Sequence, residues 1–216
     1  LIATVDEVLG LPNISLKGIG TNLACRSGVS PDAAKMGDLS RLADCVEAMF
    51  GLTLEMVSGG NSANINWALS DFGAGMGRIN NLRLGESILL GCETLHSKPI
   101  DGLYLDAITL VAEVIELKLK PSQPSGDIAQ TAFGTATPVI DRGNVKQAIL
   151  AIGIQDIDPC GLREPAGIAI LGASSDHLVV ESTDDDLSVG QEINFHVNYS
   201  ALVRAMTSPF VDKNFN

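Results

Sequence analysis

The sequence predicts an α/β half followed by an all-β half, and three observations carry that prediction. Up to about residue 100, short apolar runs alternate with segments whose apolar residues recur at helical spacing. Beyond that point the pattern becomes a series of β-prone runs divided by turn clusters. Finally, Ser58-Gly59-Gly60-Asn61-Ser62 and Asn81-Leu82-Arg83-Leu84-Gly85-Glu86 each follow an apolar run and open a helical pattern, as strand-to-helix turns of a parallel sheet do.

The first half is residues 1–100. Leu1–Leu9 reads as the interior of a helix, and with no Met at its start the chain reads as a fragment of a longer polypeptide. Ile14–Ile19 is the first buried strand. Asp38 caps a helix whose apolar positions are Leu39, Leu42, Ala43, Val46, Met49 and Phe50, and Gly51 stops it. Leu52–Val57 is the second strand. Asn61 or Ser62 caps a helix carrying Ile65, Leu69 and Phe72 as far as Gly73. Asn80–Leu84 is the third strand, with a short helix around Ile88–Leu90. Three such units cannot close a (β/α)₈ barrel, which takes about 250 residues. An open parallel edge exposes backbone groups, so this half requires a partner segment to cover it.

The second half is residues 101–216. Ile108–Lys120 is a long β-prone run whose end, Leu117-Lys118-Leu119-Lys120, alternates strictly. Val145–Ile152, Ile168–Leu171, Leu178–Glu181 and Ile193–Val197 are further strands. Pro121–Gly126, Asp141–Asn144 and Thr183–Asp186 divide them as turns. The run Asp184-Asp185-Asp186 reads as a solvated turn, since calcium-loop spacing is missing. Tyr199–Met206 closes the domain as a helix.

Composition narrows the function. Apolar residues make up 45% and charged residues 19%, as in a folded globular protein. A net charge of −12 repels nucleic acid and anionic membrane. It does not exclude a small phosphorylated ligand, because backbone dipoles can hold phosphate inside an acidic protein. Cys25, Cys45, Cys92 and Cys160 show no Cys-x-x-Cys spacing, and His96, His177 and His196 show no metal-ligand spacing. Reduced thiols, no metal and a cytoplasmic location are the expectation. No apolar stretch reaches the roughly 18 residues of a membrane span, and no signal peptide is evident.

The chemistry lies in the two Gly-rich turns. Small residues that open helices at strand ends leave backbone N–H groups free to face an anion. Two such turns on successive strands can make one phosphate cup. Taken singly, the residues have plainer readings. Arg83 can pair with Glu86 on the surface, Asn61-Ser62 can be a helix cap, and Cys25 can be a small buried filler. Ser175, Asp176 and His177 suggest a hydrolase only weakly, because neighbouring strand residues point to opposite faces.

At five segments the chain resembles the alanine racemase family, the fold-type III pyridoxal-phosphate racemases, and most of all its ornithine-racemase-like branch. They are Gly20-Thr21-Asn22-Leu23-Ala24-Cys25, Ser58–Ser62, Leu82-Arg83-Leu84-Gly85-Glu86, Gly172-Ala173-Ser174-Ser175-Asp176-His177-Leu178 and Ala205-Met206-Thr207-Ser208-Pro209. The resemblance implies the last βα units of a (β/α)₈ barrel that binds pyridoxal 5′-phosphate, followed by a C-terminal β-domain. It implies interconversion of L- and D-amino acids by a homodimer whose β-domain reaches the partner's active site. The alternative is a non-catalytic protein of the same fold that binds the cofactor.

The resemblance also assigns residues. Asn61 and Ser62 lie at the phosphate, with N–H groups of Gly85 and Glu86, and the Glu86 carboxylate turned away. Arg83 donates to the pyridine nitrogen, and Asn22 flanks the ring. His177 and Asp176 are candidates for the second acid/base, with Cys160 behind them. The cofactor-binding lysine of these racemases falls on an early barrel strand that this sequence does not contain, which implies that the isolated chain is inactive. Two positions depart from the family: Phe133 stands where a catalytic tyrosine is common, and Phe210 where a tyrosine meets the phosphate.

Overall fold

The computed structural model describes residues 1–70, 77–129, 140–183 and 186–215. They form two compact units, Leu1–Leu105 and Asp106–Asn216.

In the first unit, helix α1 (Ile2–Leu9) buries Val5 in a core shared with Met36, Leu39, Ala43, Val46, Leu54, Val57 and Ile79. Strands β1 (Gly18–Gly20) and β2 (Met56–Ser58) pair in parallel, Ile19 beside Val57. Both are shorter than the apolar runs suggest. Ile14 is 56% exposed and stands outside the sheet, because β1 has a partner on one side only. Gly18 is demanded by close approach: a Cβ there would lie 2.1 Å from the Met56 carbonyl oxygen.

Helix α2 (Ala33–Phe50) is capped by Asp32, whose carboxylate accepts the Lys35 N–H at 2.8 Å. Asp38, expected as the cap, lies inside the helix and pairs with Arg41 on an exposed face. Gly37 is a poor helix former, but burial of Met36 carries the helix through it. Leu39, Ala43 and Val46 face the core as expected, whereas Leu42 and Met49 are exposed. Gly51 ends the helix in the left-handed conformation.

The third expected strand is reduced to a single parallel bridge between Ser58 and Asn81. The side chain of Asn80 takes the ladder's place. It accepts the Val57 N–H and donates to the Glu55 carbonyl, both at 2.9 Å. After β2 a 3-10 turn (Ser62–Asn64) leads into helix α3 (Ile65–Leu69), which ends at Ser70. Phe72 and Gly73, expected to extend it, lie outside the described residues. Helix α4 (Glu86–Leu90) follows Gly85.

The second unit is a six-stranded antiparallel sheet in the order β5-β8-β3-β4-β7-β6. Its strands are β3 (Thr109–Pro121), β4 (Asn144–Leu150), β5 (Leu162–Arg163), β6 (Ile168–Ala173), β7 (Leu178–Ser182) and β8 (Glu192–Val197). Only the two-residue β5 was not anticipated. The first part of β3 pairs with β8 and the later part with β4, and a bulge between Val114 and Glu116 marks the changeover. A bulge shifts the alternation of faces. Leu110, Ala112 and Val114 point inward before it, and Leu117 packs on the same core after it. The core is closed by Ala201 and Ala205 of helix α5 (Tyr199–Thr207), which Asn198 caps. Among the described residues no helix is long and apolar enough to cross a membrane.

Candidate functional site

The two Gly-rich turns meet at the end of the parallel strands. Gly59 N–H donates to the Asn81 carbonyl at 3.0 Å, and Arg83 N–H to the Gly60 carbonyl at 2.9 Å. Gly60 adopts φ +143°, and a Cβ on it would lie 2.2 Å from Asn64 Oδ1. Asn64 is fully buried and donates to the Gly59 carbonyl at 2.9 Å, so it braces the turn from behind. Its Oδ1 is buried with no partner among the described residues.

Ser62, 4% exposed, ties the first turn to the second. Its hydroxyl oxygen accepts the N–H of Gly85 at 3.3 Å and of Ser87 at 3.1 Å, and faces the Ser87 hydroxyl at 3.2 Å. The Ser62 oxygen thus takes two N–H donors and the Ser87 hydroxyl, and none of these contacts uses the Ser62 proton. Gly85 borders open space: a Cβ there would meet nothing within 4 Å. The Glu86 carboxylate accepts the Thr94 hydroxyl at 3.2 Å. That hydrogen bond gives the carboxylate a place of its own on a neighbouring loop.

Asn61 has both ends of its side chain engaged. Oδ1 accepts the Ala63 N–H at 2.9 Å, so Asn61 caps the 3-10 turn, whereas α3 itself, the helix the sequence has it cap, starts after Asn64 with no side-chain cap. Nδ2 donates to Asn22 Oδ1 at 2.6 Å, the Leu23 carbonyl at 3.1 Å and Cys25 Sγ at 3.1 Å. Asn61 thus staples the loop after β1 onto the turn after β2. Cys25 is exposed, not buried filler, and it lines a cleft of about 290 Å³ with Ala24, Thr94, Leu95 and His96.

Arg83 does not pair with Glu86. Its guanidinium donates to the Ser58 hydroxyl and, at 2.8 Å, to the Thr21 carbonyl, both neutral acceptors. The buried Glu93 carboxylate accepts N–H groups from Leu95, His96 and Lys98 at 2.8–3.0 Å. Burial raises the pKa of that carboxyl, but those three backbone donors, with the His96 imidazole, outweigh it and hold the carboxyl below its usual range. Glu93 therefore shapes the loop that carries Thr94.

In the second unit, Ser174–His177 is the turn between β6 and β7. Ser174 N–H donates to the His177 carbonyl at 2.7 Å. The hydroxyls of Ser174 and Ser175 both donate to Asp176 Oδ1, at 3.2 and 2.9 Å. The same oxygen lies 3.2 Å from His177 Nδ1. Those contacts, the Ser175 hydroxyl foremost, hold the Asp176 carboxyl below its ordinary pKa, against the opposing effect of burial. A hydrolase triad needs serine on imidazole; here both serines bond the carboxylate instead. Cys160 is exposed in a 3-10 turn and its N–H bonds Asp158. Phe210 is 77% exposed. Phe133 lies outside the described residues.

Sequence reasoning missed the residues that brace these turns: Ser58, Asn64, Asn81, Ser87 and Thr94. Two of them, Ser58 and Asn81, lie inside the quoted segments, but nothing in one dimension shows which side chains turn inward.

No family model matches the chain. It is 43% identical over 212 residues to an ornithine racemase of Acetoanaerobium sticklandii, and 41% identical over 211 residues to a lysine racemase of Thermotoga maritima. Each match covers 97% of this chain but 60% and 59% of those relatives, so the chain spans about three fifths of their length. Among solved structures it resembles an alanine racemase from Bacillus anthracis (TM-score 0.55, 18% identity, 88% of this chain and 48% of that one). It also resembles an alanine racemase from E. faecalis (TM-score 0.54, 14%, 95% and 55%) and a D-threonine aldolase from Filomicrobium marinum (TM-score 0.56, 14%, 94% and 51%).

The fold is thus that of the alanine racemases, βα units followed by a β-rich unit, matched over part of the reference chains. Within that class the sequence is similar to the ornithine and lysine racemases.

Proposed function

We propose that this chain carries the phosphate and ring-nitrogen side of a pyridoxal-phosphate site in an amino-acid racemase of the ornithine and lysine type. The observation that carries the proposal is the pair of turns locked together through Ser62. The residues fit the cofactor's phosphate: a serine hydroxyl fixed by the N–H groups of Gly85 and Ser87, the Glu86 N–H at the start of a helical segment, and a glycine bordering open space. The relatives' names support a basic amino acid as substrate. The fold alone does not choose the reaction, since an aldolase shares it.

Pyridoxal phosphate, when bound, supplies the electron sink for breaking the Cα–H bond of an amino acid. The chain's residues supply the rest. Ser62 and the N–H of Glu86 would hold the phosphate beside Gly85, whose own N–H is on Ser62 Oγ, and Asn61 would do so through its backbone while its side chain fixes Asn22 beside the ring. Arg83 donates to the ring nitrogen. A guanidinium does not give up its proton, so that nitrogen stays unprotonated, which tempers the sink and favours racemisation over side reactions.

In a cytoplasmic homodimer, the Ser174–His177 turn serves the partner subunit's site. Asp176 engages His177 Nδ1, which leaves Nε2 to take and return the Cα proton on one face. An imidazole can do both near neutral pH.

The test uses the full-length protein with pyridoxal phosphate. Ornithine or lysine of either hand should become racemic, followed by optical rotation. Cofactor binding without interconversion of ornithine, lysine or alanine would move the protein to the non-catalytic class of this fold.

A further inference from the structure

We infer that Ser58, backed by Asn81, is a positioning residue for Arg83, and that it aims the guanidinium at the ring-nitrogen end of the site. The inference rests on the cofactor reading above. Arg83 is exposed, and its side chain is held by two hydrogen bonds, one from each terminal nitrogen, to Ser58 Oγ and the Thr21 carbonyl. One bond from each end of a planar fork fixes its plane. The N–H groups left over are those a ligand can take.

Ser58 differs from an ordinary surface hydroxyl in two ways. It is 5% exposed, at the end of β2, and its own proton is committed to Asn81 Oδ1 at 2.7 Å. A hydroxyl has one proton and two lone pairs. With the proton directed to Asn81, only lone pairs face the guanidinium. Asn81 is itself fixed, by its parallel bridge to Ser58 and by the Gly59 N–H on its carbonyl. The relay Asn81–Ser58–Arg83 therefore has one direction throughout.

The relay is also neutral. Among the described residues Arg83 makes no ion pair, whereas Arg78 of the same unit is neutralised by Glu47 and Asp44. A carboxylate in place of Ser58 would hold the fork equally well but would offset its charge. Ser58 and Thr21 orient Arg83 and leave that charge whole.

The experiment compares two ligands in the full-length protein: pyridoxal phosphate and its analogue with CH in place of the ring nitrogen. Ser58→Ala should weaken the first about tenfold, the worth of one hydrogen bond to a charged group, and leave the second unchanged. Ser58→Thr, which keeps the hydroxyl, should restore the difference. The ¹⁵N resonance of the labelled ring nitrogen should move in Ser58→Ala and return in Ser58→Thr. Equal weakening of both ligands, or none, overturns the inference, because Ser58 would then only shape the turn. Should Ser58→Ala fail to fold, Asn81→Ala decides: it frees the Ser58 hydroxyl to rotate, and the same selective loss is expected. A wild-type protein that binds neither ligand refutes the cofactor reading itself, a result visible before any variant is made.

Discussion

The Ser58–Ser62 turn and the Ser174–His177 turn have similar ingredients and opposite designs. Each follows a strand and each carries two serines. In the first, the side chains turn inward and lock onto one another: Ser58 on Asn81, Asn61 on Asn22, Asn64 on the Gly59 carbonyl. These bonds hold the turn's backbone in place. In the second, the side chains bond among themselves at the surface, with His177 and Asp176 about half exposed. What remains outward is a titratable pair. A rigid backbone surface suits a ligand that must be held still, and an exposed imidazole with an oriented ring suits a proton that must move.

The largest effect that can break this contrast is on proton transfer. His177→Ala in the full-length protein should slow exchange of the α-proton from one enantiomer by about a hundredfold or more, and from the other far less, because only one face loses its base. Deuterium uptake measured separately for each enantiomer checks it. Dimerisation and cofactor binding should survive. Equal slowing of both enantiomers, or none, would make His177 structural and move the search to Asp176 and Cys160.

A glycine pair tests the rigidity. Gly60→Ala places a Cβ 2.2 Å from Asn64 Oδ1 at a φ of +143°, so it should cost about 3 kcal/mol in chemical denaturation. Gly172→Ala in β6, where a Cβ meets nothing within 4 Å, should stay within about 0.5 kcal/mol of wild type. Similar losses at both positions would mean that the first turn is no more constrained than an open strand.

A smaller effect is expected from Asp176→Asn. The amide keeps an acceptor for Ser174 and Ser175 but loses the charge that holds the imidazole by Nδ1. Exchange from the His177-dependent enantiomer should fall about tenfold, less than in His177→Ala. An effect as large as that of His177→Ala would make Asp176 the base.

How far the sequence discloses these features depends on how local their causes are. The β-unit is legible strand by strand, because alternation, turn clusters and the Asn198 cap act over a few residues. The bulge in β3 is not, since it arises where one strand changes partners between β8 and β4. In the first unit the helix cap moves from Asp38 to Asp32 because packing of Met36 overrides the weak propensity of Gly37. The third strand gives way to one bridge because the Asn80 side chain replaces backbone bonds, which no periodicity reveals. The two site turns stand out through their Gly and Ser content. The braces behind them, Asn64 and Asn81, read like any polar residue until the fold turns them inward.

The smallest effect separates the scaffold of the first turn from the turn itself. Glu47 of α2 receives two N–H groups from Arg78 at 2.7 Å each and the Leu54 N–H at 2.7 Å. Those bonds, Arg78's first, lower its carboxyl from 4.5 to about 2. A carboxyl depressed on folding stabilises the folded state fully above its unfolded value and loses that contribution as pH falls through the folded one. The stability difference between wild type and Glu47→Gln should therefore be constant above about pH 4.5 and shrink as pH falls toward 2. Denaturation midpoints of the two proteins across that window measure it. Glu47 anchors Leu54, just before β2, so its loss should loosen the approach to the turn while leaving the Ser62 lock in place. A gap between the two proteins that stays constant down to pH 2 would show that Arg78 holds Glu47 no better folded than unfolded. The strand end that leads into the Ser58–Ser62 turn would then depend on core packing alone.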